Sequence, residues 1–172
     1  MKINGMSLLE VLISVSIMAI LATLAIPSYV EWRTSAEFKH ALEQASSLAR
    51  YGRALALTER TAVTLVLDSS QSGCLGLTSE DDCNCHQANH CQLSNRTKQL
   101  SMQRYNATLS TSKSAKDSSK LTLTFDGTHG LNFGNALSVS IARAPYNGKL
   151  IISNLGRIRY CTSTPLTGIS PC

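Results

Sequence analysis

The sequence predicts an α+β protein, in which a long kinked N-terminal helix packs on a head domain of antiparallel β-strands. Two observations lead to this prediction. Apolar residues recur at helical spacing as far as about residue 57, and beyond residue 60 the pattern changes to short β-branched runs separated by turn signals. The chain has 172 residues, a length that suits one domain with an appendage.

The most distinctive segment is the N-terminal one, because residues 6–26 carry a single charge, Glu10. That length is sufficient to span a membrane, and Lys2 before it favours a cytoplasmic N-terminus. A secretory signal peptide and a plain membrane anchor are alternatives, but neither explains Gly5 or Glu10. A carboxylate inside an apolar span is costly, and such a residue indicates a function.

After Pro27 the helical pattern becomes amphipathic, with charges between the apolar positions. We therefore predict one helix over residues 6–57, of which residues 6–26 span the membrane or the core of a filament. Proline lacks an amide donor and crowds the preceding turn, so a kink is expected at Pro27. The remainder of the helix is expected to pack on a β-rich head formed by residues 58–172.

The head is predicted to contain short strands bounded by glycine and asparagine turns. Asn147-Gly148 lies between two such runs and predicts a hairpin turn. Residues 79–95 and 110–119 are polar and are predicted to be loops. The predicted strands are residues 61–67, 74–78, 99–105, 120–125, 137–142, 149–153 and 157–161.

All six cysteines follow residue 73, which indicates disulfides in an oxidising compartment. A metal site that includes His86 and His90 is the alternative, but the cysteine spacing matches no standard zinc module, and we predict no metal. Four of the cysteines fall at the start of the head and two fall near the end of the chain. They are Cys74, Cys83, Cys85, Cys91, Cys161 and Cys172.

Positive charge is concentrated in the second half of the chain. Residues 1–82 have a net charge of −3 and residues 83–172 have a net charge of +8, which points to a polyanionic partner for the second half. The alternative is a basic surface that only keeps the protein soluble, and without a motif that alternative is favoured. Arg157 and Arg159 flank Ile158, so in a strand both point to one face, about 7 Å apart. Gly156 permits a turn before them, and guanidinium groups suit phosphate. Arg143 and Lys149, in adjoining predicted strands, are expected to extend this patch.

The segment Gly5-Met6-Ser7-Leu8-Leu9-Glu10, followed by an apolar run, resembles the class III signal of type IV pilins and pseudopilins. The resemblance implies that prepilin peptidase removes the leader, residues 1–5, and that Met6 is then N-methylated. It also implies that Glu10 pairs with the N-terminus of a neighbouring pilin subunit. Met6 departs from the family, in which phenylalanine usually occupies this position. The implied location is the inner membrane, with a single span and a periplasmic head, and then an extracellular pilus.

The layout of the whole chain is similar to the FimT/GspH group of minor pilins and pseudopilins. Within it, Gly156-Arg157-Ile158-Arg159 is similar to the Gly-Arg-x-Arg motif of FimT proteins, which bind DNA in natural transformation. The resemblance implies DNA binding without sequence specificity, carried by Gly156, Arg157 and Arg159. Such electrostatic binding is driven by counterion release.

The same resemblance implies a disulfide between Cys161 and Cys172, because many pilins have a stapled C-terminal loop. The other four cysteines allow three connectivities. Cys83 and Cys85 are poorly placed to bridge each other, so Cys74 is expected to pair with one of the loop cysteines.

The sequence contains no arrangement of residues that predicts catalysis. No Ser/His/Asp set, paired carboxylates or phosphate-binding loop is present, and we predict neither an enzyme nor a cofactor. The alternative to a DNA-binding minor pilin is a purely structural subunit. That subunit would be a GspH-like minor pilin or pseudopilin that serves pilus biogenesis or type II secretion without binding DNA.

Overall fold

The computed structural model describes residues 7–111, 119–132 and 136–172. Helix α1 (Leu8–Glu59) comes first, and a short 3-10 helix (Met102–Tyr105) lies among the strands that follow it. The strands are β1 (Val63–Asp68), β2 (Cys74–Thr78), β3 (Gln92–Leu93), β4 (Arg96–Thr97), β5 (Gln99–Ser101), β6 (Thr108–Thr111), β7 (Lys120–Phe125), β8 (Leu137–Arg143), β9 (Tyr146–Ile152) and β10 (Ile158–Thr162).

The chain divides into two compact units, Met1–Ala36 and Glu37–Cys172. In the first unit the described residues form the apolar part of α1, whose large side chains are exposed. Within the described ranges, α1 is the helix that is long and apolar enough to cross a membrane. Pro27 lies inside this helix, and the kink predicted there stays a prediction. Gly5 and Met6 lie outside the described residues.

The second unit is the head, in which α1 and two antiparallel sheets share one hydrophobic core. The strand orders are β5-β2-β1-β7 in one sheet and β10-β9-β8-β6 in the other. The buried helix positions recur every three or four residues and are mostly small, which permits close approach of the sheets. They are Phe38, Ala41, Leu42, Ala45, Ser46, Ala49, Gly52 and Ala56.

The hairpin between β8 and β9 turns three residues earlier than the sequence indicates. Arg143 pairs with Tyr146, so Ala144 and Pro145 form the turn and Gly148 lies within β9. A Cβ atom on Gly148 would lie 2.7 Å from Leu42 Cδ1 and 2.8 Å from the carbonyl oxygen of Cys161. The glycine therefore serves the contact between helix and sheet, and the predicted turn at Asn147-Gly148 is wrong.

Other differences concern the middle of the head. The predicted strand at residues 99–105 ends at Ser101, because the 3-10 helix follows and Asn106 takes a left-handed conformation. The chain then enters β6, which pairs with β8. The sequence predicts part of this strand as a loop. The loop predicted at residues 79–95 contains β3, which forms a two-stranded hairpin with β4. Most of the loop predicted at 110–119 lies outside the described residues.

Three disulfides staple the head, and they join Cys74 to Cys85, Cys83 to Cys91, and Cys161 to Cys172. The first two form a small buried cluster with Val66 on strands β1 and β2. This arrangement ties the polar loop after β2 back onto the sheet, and it closes the C-terminal loop onto β10.

Candidate nucleic-acid interface

A tight turn over residues 153–156 joins β9 to β10 and presents the basic motif. The Gly156 amide donates to the Ser153 carbonyl at 2.9 Å, and Gly156 has a φ of +71°, a conformation that favours glycine. The Ser153 amide donates to the Arg157 carbonyl at 3.0 Å, and the Arg157 amide donates to Ser153 Oγ at 3.1 Å. These bonds fix the backbone of Arg157 immediately before β10, which is an edge strand.

The 153–156 turn is also held against the helix. Arg53 Nε donates to the Gly130 carbonyl at 3.0 Å, and the Asn132 amide donates to the Asn154 carbonyl at 3.0 Å. A Cβ atom on Gly156 would lie 2.6 Å from Arg53 Nε and would collide with the Gly130 carbonyl. Gly156 is therefore needed for the close approach of the loops as well as for the turn.

Helix and turn border a groove of about 450 Å³, which we call the basic groove. Three of the residues that line it are arginines, and none is acidic. Arg50 and Arg53 are one helical turn apart, so they lie on neighbouring positions of the same face of α1. The lining residues are Arg50, Arg53, Ala54, Leu57, Leu155, Gly156, Arg157 and Ile158.

Sequence reasoning placed Arg157 at this site and missed Arg50 and Arg53. Their spacing of three residues near the end of α1 indicates a shared helix face, and this signal was present in the sequence. The sequence does not indicate that the 153–156 turn lies beside that face of α1. The contact depends on the hydrogen bond from Arg53 to Gly130, and these two residues are distant in sequence.

Arg159 and Lys149 continue the positive charge along the sheet. Arg157, Arg159 and Lys149 are exposed, and Ile158 is half-buried. Lys149 pairs with Cys161, and Cys161 follows Arg159 by two residues on β10. Lys149 and Arg159 are therefore diagonal neighbours on one face of the sheet. In the part of the chain that the structure describes, no acidic side chain pairs with these three residues or with Arg50.

Arg143, in contrast, does not extend the patch as expected. It forms an ion pair with Glu37 of α1 and donates to the Tyr105 carbonyl at 2.9 Å. Its side chain is only 15% exposed. Arg143 lies at the end of β8, three residues beyond the partner of Lys149, where it joins the helix to the strand. The expectation for Arg143 is therefore wrong.

The histidine and cysteine cluster is a hydrogen-bonded network beside a disulfide. Cys74, Cys85 and His86 lie close together, but both sulfurs are oxidised and cannot act as thiolate ligands. His86 Nε2 lies 3.0 Å from Ser70 Oγ and 3.7 Å from a carboxylate oxygen of Asp68. Partial burial raises the pKa of Asp68, but hydrogen bonds from Ser70 and Ser119 outweigh this effect and lower the pKa below its usual range.

Comparison with known proteins identifies the N-terminal segment and the fold. Residues 1–26 match the family model described as a prokaryotic N-terminal methylation motif. A crystal structure of the type IV minor pilin FimU of Pseudomonas aeruginosa is similar over 78% of this chain and 95% of its own. Identity between the two is 16%, and the TM-score is 0.51. A second crystal form of FimU covers 76% of this chain and 98% of its own, at 15% identity and a TM-score of 0.47. No curated protein matches the chain significantly.

The first FimU structure confirms the predicted fold, in which one long N-terminal helix packs on antiparallel sheets. The matched segment contains Gly5, Met6 and Glu10, on which the resemblance to pilins was based. The methylation motif identifies the N-terminal segment, and the FimU likeness shows the fold.

Proposed function

We propose that this protein, a minor type IV pilin-like subunit by its methylation motif and its fold, binds DNA on the basic groove of its head. The N-terminal helix anchors it in the inner membrane with its head in the periplasm, and it is incorporated into a pilus with other pilin subunits. The motif implies processing by prepilin peptidase. We propose that cleavage falls between Gly5 and Met6, and that Glu10 pairs with the new N-terminus of a neighbouring subunit.

The observation that carries the DNA proposal is a set of exposed cations without acidic neighbours. Two other basic residues of the described head are paired, Arg143 with Glu37 and Lys120 with Asp82. Arg157, Arg159 and Lys149 have no such partner within the described ranges. Planar guanidinium groups bind phosphate oxygens in pairs, and adjacent arginines can reach successive phosphates of one strand.

The resemblance of Gly156-Arg157-Ile158-Arg159 to the FimT motif supports DNA uptake in natural transformation as the setting. Lys149 and the helix arginines enlarge the charged surface. The contacts that they can make are to the phosphate backbone, so binding is expected to be independent of sequence.

A titration tests this proposal directly. The full chain, in a neutral detergent, is titrated into a fluorescently labelled duplex of about 30 base pairs, and anisotropy is recorded from about 50 to 300 mM salt. We expect affinity to fall steeply with salt. Arg157→Gln with Arg159→Gln should lower the affinity at least about tenfold and reduce the salt slope by about 2, because two phosphate contacts are lost.

The matched control is Arg96→Gln with Arg104→Gln, which removes the same charge from two exposed arginines outside the basic groove. This variant should keep nearly all of the affinity. Equal losses of affinity in both double variants would show that binding depends on net charge and not on the basic groove. A wild-type chain that fails to bind DNA at low salt would favour the structural pilin or pseudopilin, and affinity that ignores salt would contradict phosphate binding.

A further inference from the structure

We propose that the basic groove holds an unpaired nucleobase, so that the preferred ligand is DNA with unpaired bases, either a single strand or a frayed end. This inference rests on the proposed DNA binding. It adds a requirement for unpaired bases, which phosphate contacts alone do not create. It comes from Leu155, which lies in the 153–156 turn beside Arg157. Leu155 is 73% exposed, more than any other large apolar side chain in the described part of the head.

The lining of the groove combines apolar and cationic residues. Leu57, Leu155 and Ile158 line it together with Ala54, and Leu57 is 39% exposed although it is a large apolar residue. Arg50, Arg53 and Arg157 complete the lining. A ligand that satisfies both parts must carry an apolar surface next to negative charge.

An unpaired nucleotide has this combination, since its base offers an apolar face and its phosphate is anionic. In a duplex the base faces are stacked and hidden, so the apolar lining residues add nothing to binding unless bases are unstacked at a cost. Single strands leave the faces available, and contacts to them add affinity without sequence specificity. The groove volume of about 450 Å³ is also larger than a single base requires.

The geometry of the turn keeps Leu155 in place before the ligand arrives. The bond from the Gly156 amide to the Ser153 carbonyl closes the turn over Leu155. The bond from the Asn132 amide to the Asn154 carbonyl holds the residue before it. Because the backbone on both sides is fixed, little conformational entropy is lost when a base packs on this side chain.

The test compares three probes on the full chain in neutral detergent. They are a labelled single strand of about 15 nucleotides, an abasic strand of the same length and phosphate number, and a blunt duplex. We expect the single strand to bind about 5- to 30-fold more tightly than the abasic strand, which corresponds to the burial of roughly 40–80 Å² of apolar surface. A duplex with a single-stranded overhang should bind more tightly than the blunt duplex.

Leu155→Ser should remove the difference between the normal and abasic strands and leave the salt slope unchanged. Leu155→Met, which keeps an apolar side chain, should retain the difference. Both changes fall on an exposed turn, so the thermal unfolding of both variants should match that of the wild type.

The outcomes separate this inference from the function on which it rests. Equal binding of normal and abasic strands, with the Arg157 and Arg159 dependence intact, overturns the base site and leaves DNA binding in place. Absence of binding to every DNA probe overturns both. Displacement of DNA by dihexanoyl phosphatidylglycerol, lost in Leu155→Ser, would assign the groove to an anionic lipid and overturn the inference.

Discussion

Gly148 allows α1 to lie close to the sheet that contains β9. The nearest atoms to a Cβ at this position belong to Leu42, Phe38 and the Cys161 carbonyl, at 2.7 to 3.0 Å. These neighbours lie in the buried core or in the backbone of the adjacent strand, where little movement is possible. The absence of a side chain at residue 148 is therefore a packing requirement of the head.

We expect Gly148→Ala to destabilise the head by about 1–3 kcal/mol, because the added methyl group overpacks the contact between helix and sheet. Thermal unfolding followed by circular dichroism would measure the loss. Asn147→Ala, at the exposed neighbouring position, is the control and should change stability by less than about 0.5 kcal/mol. If the two variants have the same thermal stability, the close contact at Gly148 is not a packing requirement of the head.

Three arginines show how far the sequence alone predicts single residues. For Arg157 and Arg159, strand alternation and a preceding glycine suffice to predict exposure, because both are local features. Arg143 is also an arginine in a predicted strand, but it pairs with Glu37, which is more than 100 positions away. Nothing local distinguishes it, since the pairing depends on how α1 lies against β8.

At the scale of elements, the sequence predicts α1, β2 and β7 well because their hydrophobic periods are clear. It misses β6, whose short polar run gains strand geometry from pairing with the edge of β8. The basic groove is missed in part for a similar reason. It is assembled from a helix face and a turn that are distant in sequence, and no local pattern encodes their contact.

The overlapping disulfides of β2 and the following loop are expected to stabilise the head strongly. Cys83→Ala with Cys91→Ala should cost about 2–4 kcal/mol, since the bond constrains the unfolded chain and its sulfurs lie in a buried cluster. That loss corresponds to a decrease in Tm of roughly 5–15 °C, which calorimetry would measure.

The comparison variant is Cys161→Ala with Cys172→Ala, whose bond closes a terminal loop and includes the exposed Cys172. It should lower the Tm less, because the end of the chain can detach without opening the buried cluster. Mass spectrometric counting of thiols before and after reduction should find six cysteines without a free thiol in the wild type. An unchanged Tm after loss of Cys83 and Cys91 would contradict the stabilising role.

At the scale of the whole molecule, the chain carries two kinds of surface for two environments. The described part of the N-terminal unit exposes nearly all of its large apolar side chains, and the head buries most of its own. Such an apolar helix requires lipid or other helices around it. In either setting we expect Glu10 to lack water, and we propose that a partner of opposite charge offsets the cost of burying its carboxylate.

We therefore expect Glu10→Ala to leave the head folded and to reduce incorporation into pili by at least about tenfold, because the contact with the neighbouring N-terminus is lost. Immunoblots of sheared pili against whole cells would measure the ratio. Glu31→Ala changes an exposed acid of the same helix beyond the apolar segment, and incorporation should remain normal. Normal recovery of Glu10→Ala in the sheared fraction would refute this role for Glu10.

The overlap of the first two disulfides affects how the head withstands proteolysis outside the cell. One bond spans residues 74–85 and the other spans residues 83–91, so together they bridge the whole stretch from Cys74 to Cys91. A protease that cuts once anywhere in this stretch, including its exposed residues from Ser79 to Asp82 and from Gln87 to His90, leaves both fragments covalently joined. The Cys161–Cys172 bond protects the end of the chain in the same way. A nick at these exposed loops therefore releases neither fragment of the head.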